Sequence, residues 1–233
     1  MRVLRILLFC GMCSLFAQAG DVTYITPSGS SVSGGPVDAT AMFSISNGMI
    51  DVTLSNLEVN PKDVGQLLSD LSFTLGNGGS LSGASLSSSL GTEVTVNSGG
   101  SSTLGPSVSS GWGFSTSGTT TATLDVLGTP TGPSHLIIGP PGTTGYSNAN
   151  GSIAGNKPHN PFLNGSATFV ITGPDITSST TITSATFSFG TTSGINVVGT
   201  PRAVPEPSAQ FLLGLGIVGL MGLATASRKL IST

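Results

Sequence analysis

Charged residues are scarce in this chain of 233 residues. Asp, Glu, Lys and Arg together make up 7% of the sequence, whereas roughly 25% is usual for a soluble domain. This scarcity argues against an ordinary cytoplasmic protein. The formal net charge of −3 excludes a strongly basic nucleic-acid-binding protein, which needs many Lys and Arg side chains. Hydrophobic residues still make up 37%, so a buried core is expected rather than disorder.

The first 19 residues have the pattern of a secretory signal peptide. Arg2 and Arg5 form a basic start and residues 6–16 form a mostly apolar run. Ala17 and Ala19 then supply the small-x-small site that signal peptidase cleaves. We therefore expect export through the secretion translocon and cleavage after Ala19. A permanent N-terminal anchor is disfavoured because the apolar run is too short to span a bilayer.

Cysteine is absent outside this leader, since Cys10 and Cys13 are the only two in the chain. The predicted mature protein therefore has no cysteine. This excludes a disulfide framework, a thiol nucleophile and a cysteine-ligated zinc site. The stability of the exported protein must then come from its core alone.

An unbroken uncharged and mostly apolar run covers residues 211–227 near the C-terminus. Val204-Pro205-Glu206-Pro207 precedes this run, and Arg228 and Lys229 follow it. As a helix the run would be roughly 25 Å long, which is the short limit for a bilayer core of about 30 Å. Because basic residues stay on the cytoplasmic side, the order predicts a transmembrane helix with a cytoplasmic C-terminus.

This tail resembles the PEP-CTERM sorting signal of Gram-negative bacteria, which combines a Pro-Glu-Pro motif, a transmembrane helix and a basic end. The resemblance covers residues 204–233. It implies that Pro205, Glu206 and Pro207 form the recognition motif and that Arg228 and Lys229 are the membrane stop. It also implies that exosortase, a membrane protease-transpeptidase, processes the protein. The protein would be held briefly in the inner membrane, then reach the cell surface or the outside, in association with exopolysaccharide and biofilm.

Two other interpretations of the tail stay open. A permanent anchor would use the Pro-Glu-Pro segment only as a spacer that ends helical structure. A GPI signal would combine small residues, a spacer and a hydrophobic tail, but the basic residues and the short spacer disfavour it. The GxGxxG pattern at residues 214–219 does not indicate nucleotide binding, because it lies inside the predicted membrane helix.

The remaining residues, 20–203, have the pattern of short strands separated by turns. Residues 41–54 alternate apolar and polar side chains on both sides of Asn47-Gly48, which is the strongest short-range signal of a hairpin. The pattern predicts an all-β body, an antiparallel β-sandwich or barrel. Further strands are predicted at 71–75, 92–96, 122–127, 135–138, 167–172 and 180–189.

One segment breaks the strand pattern and predicts a short α-helix over residues 61–70. Asn60 is a suitable N-cap and Pro61 suits the first helical position. The helical spacing i, i+3, i+4 and i+7 is occupied by Val64, Leu67, Leu68 and Leu71. Residues 76–118 are richer in Gly and Ser, and fit either a long surface excursion or strands.

Residues that usually carry catalysis are few and scattered. His135 and His159 are the only histidines, and neither has an acid or a nucleophile motif nearby in sequence. The nine acidic residues of the body lack the spacing of a calcium loop. We therefore predict no catalytic residue, no metal site and no cofactor. A carboxylate pair brought together by folding, as in a glycosidase, stays open.

Trp112 and Tyr146 are the candidate residues for sugar contact. If exposed, their rings would stack on sugar rings, whereas the alternative is burial in the core. Threonines also alternate at residues 119–123 and 180–183, and tails like this one occur on some ice-binding proteins. Since strands are generally rich in Thr and no regular array is visible in the sequence, ice binding is a weaker alternative.

The sequence thus predicts an exported structural or interaction protein, not an enzyme. Its expected partners are signal peptidase, the translocon, exosortase, the membrane and exopolysaccharide, with no nucleic acid. The alternative is a secreted carbohydrate-active enzyme, or a carbohydrate- or ice-binding protein, with the same tail. Two acids that meet in a cleft would favour the enzyme.

Overall fold

A computed structural model describes residues 21–202, and these form β-strands with almost no helix. The predicted signal peptide and the sorting tail, with the proposed membrane helix at 211–227, lie outside the described residues. Between residues 21 and 202 there is no helix of sufficient length and apolar character to cross a membrane. The all-β prediction for the body is confirmed.

Fifteen strands make up the described structure. In chain order they are β1 Val22–Ile25, β2 Ser31–Val32, β3 Gly35–Pro36, β4 Ala39–Ser46, β5 Met49–Asn56, β6 Leu68–Gly76, β7 Ser85–Val96, β8 Ser102–Ser109, β9 Gly113–Ser117, β10 Thr121–Asp125, β11 Ile137–Ile138, β12 Phe162–Thr172, β13 Thr181–Phe189, β14 Asn196–Val198 and β15 Thr200–Arg202.

The strands form two layers like those of a β-sandwich. Sheet I has the spatial order β14-β13-β6-β10-β9, and sheet II has the order β15-β1-β4-β5-β12-β7-β8. Strand β11 pairs with β6 of sheet I and with β12 of sheet II, so it joins the two sheets at one side. The β11–β12 pair is parallel and the other strand pairs are antiparallel. Strands β2 and β3 form a separate small hairpin.

The core lies between the two sheets. Phe43 of β4 and Phe73 of β6 belong to different sheets, yet their ring centroids are 5.0 Å apart. Along β4 every second side chain is buried, which is the alternation that places one face of a strand against a core. The predicted hairpin at 41–54 is confirmed: Ser46 pairs with Met49, and Gly48 adopts a φ of 81° in the turn.

The α-helix predicted over residues 61–70 is wrong. The segment contains a short 3-10 helix, Val64–Gln66, and strand β6 already begins at Leu68. The N-cap is Asp63, whose Oδ1 accepts a hydrogen bond from the backbone N–H of Gly65 at 2.8 Å, and not Asn60. The four apolar residues of the predicted stripe are buried as expected, but Leu68 and Leu71 are buried as strand residues.

Tertiary contacts explain why the helix does not continue. Gly65 lies against Gly34, so closely that a Cβ atom on Gly34 would be 2.8 Å from the Cα of Gly65. Gly65 also weakens a helix intrinsically, by about 1 kcal/mol relative to Ala. From Leu68 onward the backbone pairs with β13 instead. The second uncertain segment, 76–118, forms β7, β8 and β9, so the strand interpretation applies to it.

Candidate functional site

The outward face of sheet I carries serine and threonine side chains in register across its strands. Thr123 of β10 pairs with Ser72 of β6 on one side and with Ser115 of β9 on the other. Thr186 of β13 continues this row beyond Ser72. The next row consists of Ser184, Thr74, Thr121 and Ser117. We call this surface the hydroxyl face.

An acidic pocket lies at one end of the hydroxyl face. On the side of the Ser72–Thr123 row that faces away from Thr74 and Thr121, two carboxylates lie opposite each other on β6 and β10. Asp70 of β6 is the cross-strand partner of Asp125 of β10. The pocket has a volume of about 200 Å³, and among residues 21–202 no Lys, Arg or His side chain lines it. Directly paired residues on adjacent antiparallel strands have Cβ atoms about 4.5–5.5 Å apart, so two negative charges are held close together here.

This arrangement changes the acidity of Asp70. Burial is the largest cause, and the nearby charge of Asp125 adds to it, so that the pKa of Asp70 is raised to about 6. A hydrogen bond from Ser188 opposes the increase. Near neutral pH the pocket therefore holds a carboxyl group that can either keep or release a proton.

The remaining polar groups of the pocket are held by a small hydrogen-bond network. The two carboxylate oxygens of Asp125 accept the backbone N–H groups of Leu127 at 2.8 Å and Gly128 at 2.9 Å. The Ser188 hydroxyl lies 2.6 Å from Asn196 Oδ1 and 3.3 Å from Asp70 Oδ1. Since a hydroxyl has only one proton to donate, the two acceptors compete for it.

Ser69 also lines the pocket, and its hydroxyl is unusual. The residue is 1% exposed, and its Oγ has no hydrogen-bond partner within residues 21–202. Strand β6 is irregular here, because Ser188 pairs with Asp70 while Phe189 pairs with Leu68, which leaves Ser69 as the extra residue of a bulge. Bulges of this kind redirect a side chain and often lie next to functional sites.

The raised pKa predicts that Asp70 destabilises the fold at neutral pH. Between the usual value of 3.8 and about 6, the folded state binds more protons than the unfolded state, so stability falls as the pH rises through this range. We expect Asp70→Asn to raise the free energy of unfolding at pH 7 by about 2 kcal/mol, a value reduced for partial solvent exposure. The gain should shrink toward zero near pH 4.

Urea unfolding of the full chain at several pH values measures this effect. Asp51→Asn is the matched control, because Asp51 lies on sheet II with Ser44 and Val170 as cross-strand partners instead of a second acid. The control should lack the pH-dependent gain. Equal stability of Asp70→Asn and wild type at pH 7 would contradict the prediction.

The structure buries Trp112, which the sequence offered as a sugar contact. The side chain is 4% exposed, its indole N–H donates to the carbonyl oxygen of His135 at 2.9 Å, and its ring packs on Phe169 at 5.3 Å. Stacking on a sugar requires an exposed ring. Trp112 is instead buried in the core, which was the alternative to sugar contact. The tryptophan fills the interior because its one polar atom finds a backbone partner there.

Tyr146 is buried in the same way. It is 1% exposed, and its hydroxyl donates to the carbonyl oxygen of Gly139 at 3.0 Å. Burial raises the pKa of this side chain to about 12. Stacking of Tyr146 on a sugar is therefore not supported, because its ring is not accessible at the surface.

The two histidines serve local structure. His135 has a φ of 58°, and folding brings it next to an acid that is distant in sequence: its Nε2 lies 3.1 Å from Glu93 Oε1, while its Nδ1 lies 2.9 Å from the carbonyl oxygen of Ser110. His159 Nδ1 lies 2.6 Å from the carbonyl oxygen of Ser152. His135 thus links β7 to the loop between β8 and β9, and His159 makes a contact within the connection between β11 and β12. Neither histidine lines the acidic pocket.

The sequence interpretation missed the residues that meet in the pocket: Ser69, Asp70, Asp125, Ser188 and Asn196. Alternate Thr residues at 119–123 did signal one strand of the hydroxyl face. No sequence signal could have paired Asp70 with Asp125, because they belong to strands separated by three others along the chain.

The comparisons with known proteins concern the C-terminal tail. Residues 203–229 match the family model of the PEP-CTERM protein-sorting motif. The chain carries a PEP-CTERM sorting motif. This motif marks an exported protein that exosortase sorts in a step at the membrane, which confirms the resemblance given by the Pro-Glu-Pro tail. Comparison with curated proteins and with solved structures gave no match.

Proposed function

We propose that the mature protein is a structural or interaction protein at the surface of a Gram-negative bacterium or in its extracellular matrix, where the hydroxyl face contacts exopolysaccharide. In this proposal residues 211–227 span the inner membrane during sorting, and Arg228 and Lys229 stay in the cytoplasm. Signal peptidase first removes the leader after Ala19. Exosortase then acts at the PEP-CTERM tail.

The observation that carries the proposal is the hydroxyl face of sheet I. Ser and Thr hydroxyls both donate and accept hydrogen bonds, as the hydroxyls of a sugar do. Each such bond contributes only about 0.5–1.5 kcal/mol in water. A regular array on adjacent strands, which are about 4.8 Å apart, would let one polymer chain make several of these bonds at once and gain avidity.

The distribution of charge on the body also supports exopolysaccharide as the partner. Within residues 20–203 there are nine acidic residues and three basic ones, Lys62, Lys157 and Arg202, so the body carries 3 − 9 = −6 formal charges. Apart from Asp70 and Asp125, the rows of the hydroxyl face carry neutral side chains. A neutral hydroxylated surface suits a hydrated polysaccharide, whereas it gives little attraction to nucleic acid.

Cosedimentation of the full chain with exopolysaccharide from the producing cells tests the proposal. We expect the double variant Ser115→Lys, Ser184→Lys to bind about tenfold more weakly, since two hydrogen-bonding positions are lost. The control is Ser44→Lys, Thr168→Lys, which changes two exposed positions on sheet II. Equal loss in both variants, or no binding by wild type, would contradict a role of the hydroxyl face.

A carbohydrate-active enzyme is the second candidate, and the acidic pocket favours it. Two carboxylates near each other, one of them with a raised pKa, can act as general acid and as nucleophile or base. The cosedimentation samples distinguish the two functions. Release of new reducing ends by wild type and its loss in Asp70→Asn would identify an enzyme, whereas binding without cleavage supports the interaction protein.

A further inference from the structure

We propose that the acidic pocket of sheet I binds a divalent cation of the calcium class between Asp70 and Asp125. The inference does not depend on the contact with exopolysaccharide. It follows from the chemistry of the groups that the sheet register places together. The acids of this pocket come from distant parts of the sequence and lack the spacing of a calcium loop.

The first observation is the set of oxygen atoms around the pocket. The residues that line the pocket include Asp70 and Asp125, which carry carboxylates, Ser69 and Ser188, which carry hydroxyls, and Asn196, which carries an amide oxygen. Calcium prefers six to eight oxygen ligands and accepts carboxylates, amide carbonyls and water. A volume of about 200 Å³ leaves space for a cation together with coordinated waters.

The second observation is that the negative charge of the pocket has no cationic partner in the described range, residues 21–202. Among residues 21–202 the close acid–base contact is His135 with Glu93, and neither of these residues lines the pocket. Burial is the largest cause of the raised pKa of Asp70, and the nearby charge of Asp125 adds to it. A bound cation would remove the repulsion between the two carboxylates, and so would a proton on Asp70.

The third observation is the Ser69 hydroxyl, which finds no hydrogen-bond partner in the described part of the chain. Leaving a buried polar group without a hydrogen bond is unfavourable, and such groups are few in native proteins. The bulge in β6 sets Ser69 beside Asp70 at the pocket, where its oxygen could donate a lone pair to a cation. Ser188 has one proton for two acceptors, Asn196 Oδ1 and Asp70 Oδ1, so the oxygen that it does not bond is open to a cation or to water.

The ligand types favour calcium over other metals. No group of three or more His, Cys, Asp or Glu side chains that could hold a metal lies in the part of the chain that the structure describes, so a zinc-type site is not indicated there. Magnesium requires near-ideal octahedral geometry, whereas calcium tolerates irregular oxygen sets. With only two carboxylates, we expect a weak site with a dissociation constant on the order of 10⁻⁴–10⁻³ M, as in extracellular modules.

Thermal unfolding of the full chain, first freed of metal with a chelator, tests the site at pH 7.5. We expect CaCl2 to raise the melting temperature in a saturable manner, and NaCl of equal ionic strength to have no such effect. The calcium-dependent rise should be lost in Asp70→Asn and in Asp125→Asn and retained in Asp51→Asn. Because Asp70→Asn is expected to fold more stably than wild type, loss of the rise in that variant reports binding and not misfolding.

Calorimetric titration with CaCl2 gives a second readout. We expect Ser69→Ala to weaken calcium binding without lowering the melting temperature measured in the absence of metal, since its hydroxyl makes no hydrogen bond within the described residues. A linear, non-saturating response in wild type would overturn the proposal. So would an equal calcium effect in Asp70→Asn and Asp51→Asn.

Discussion

Replacing Pro205, Glu206 and Pro207 together with alanine is expected to abolish processing of the tail by exosortase. Each proline holds its own φ near −65° and keeps the residue before it out of helical conformation. From its sequence we therefore expect the motif to offer exosortase one negative charge in a segment that disfavours helix, next to the apolar run. Alanines would allow helix to continue through this segment and would remove the charge.

The mass of the mature protein measures this effect. We expect wild type to lack part of its C-terminal tail in cells with exosortase and to keep it in cells without the enzyme. The triple variant should keep its peptide through Thr233 in both. A matched control is Pro174→Ala, Asp175→Ala, which changes an exposed proline–acid pair in the body and should be processed normally. A complete tail on wild-type protein from normal cells would instead identify a permanent anchor.

Asn56→Ala is expected to destabilise the body strongly, because one buried amide holds three elements together. Asn56 is 1% exposed and lies at the end of β5. Its Nδ2 donates to the carbonyl oxygens of Gln66 and Ile137, both at 2.9 Å, and its Oδ1 accepts the N–H of Glu58 at 3.0 Å. The side chain thus connects β5, the 3-10 helix and β11.

Removing this amide leaves three backbone groups without their partner. Each buried group left unsatisfied costs about 1–3 kcal/mol. Because these losses are not additive, we expect the free energy of unfolding to fall by about 3–5 kcal/mol. Native domains have only about 5–15 kcal/mol of stability in total, so the variant should be partly unfolded at 37 °C.

Urea unfolding, followed by the fluorescence of the single buried Trp112, measures this loss. Asn148→Ala is the matched control, because Asn148 is exposed and its side chain makes no hydrogen bond to other residues in the 21–202 range. The control should change stability by less than about 0.5 kcal/mol. A similarly small change in Asn56→Ala would show that the three hydrogen bonds do not hold these elements together.

Strands with local signals could be predicted from the sequence. The hairpin at 41–54 was correct because Asn47-Gly48 suits a tight turn and each flanking strand alternates apolar and polar residues. The strand predicted over 167–172 is confirmed, although β12 begins earlier, at Phe162. The strand expected at 135–138 contains only Ile137–Ile138 as β11, because His135 adopts a left-handed φ of 58°.

The helix error shows where local patterns become ambiguous. The spacing of Val64, Leu67, Leu68 and Leu71 fits one face of a helix, but a buried strand can carry the same residues. The pairing of β6 with β13 and the close contact of Gly65 with Gly34 favour a strand over a helix here. Both contacts join segments that are distant in sequence, so no window of local sequence contains them.

The sequence by itself determined that the protein is exported, that it carries a PEP-CTERM sorting tail and that its body is built of strands. The export signal, the sorting tail and the individual strands are short continuous segments. Each can therefore be identified from the order of its own residues. Only the tertiary structure decided that Asp70 faces Asp125, that Ser69 has no partner within residues 21–202 and that Ser and Thr side chains align on one face. Those relations depend on strand order and register, which long-range pairing sets after the local elements have formed.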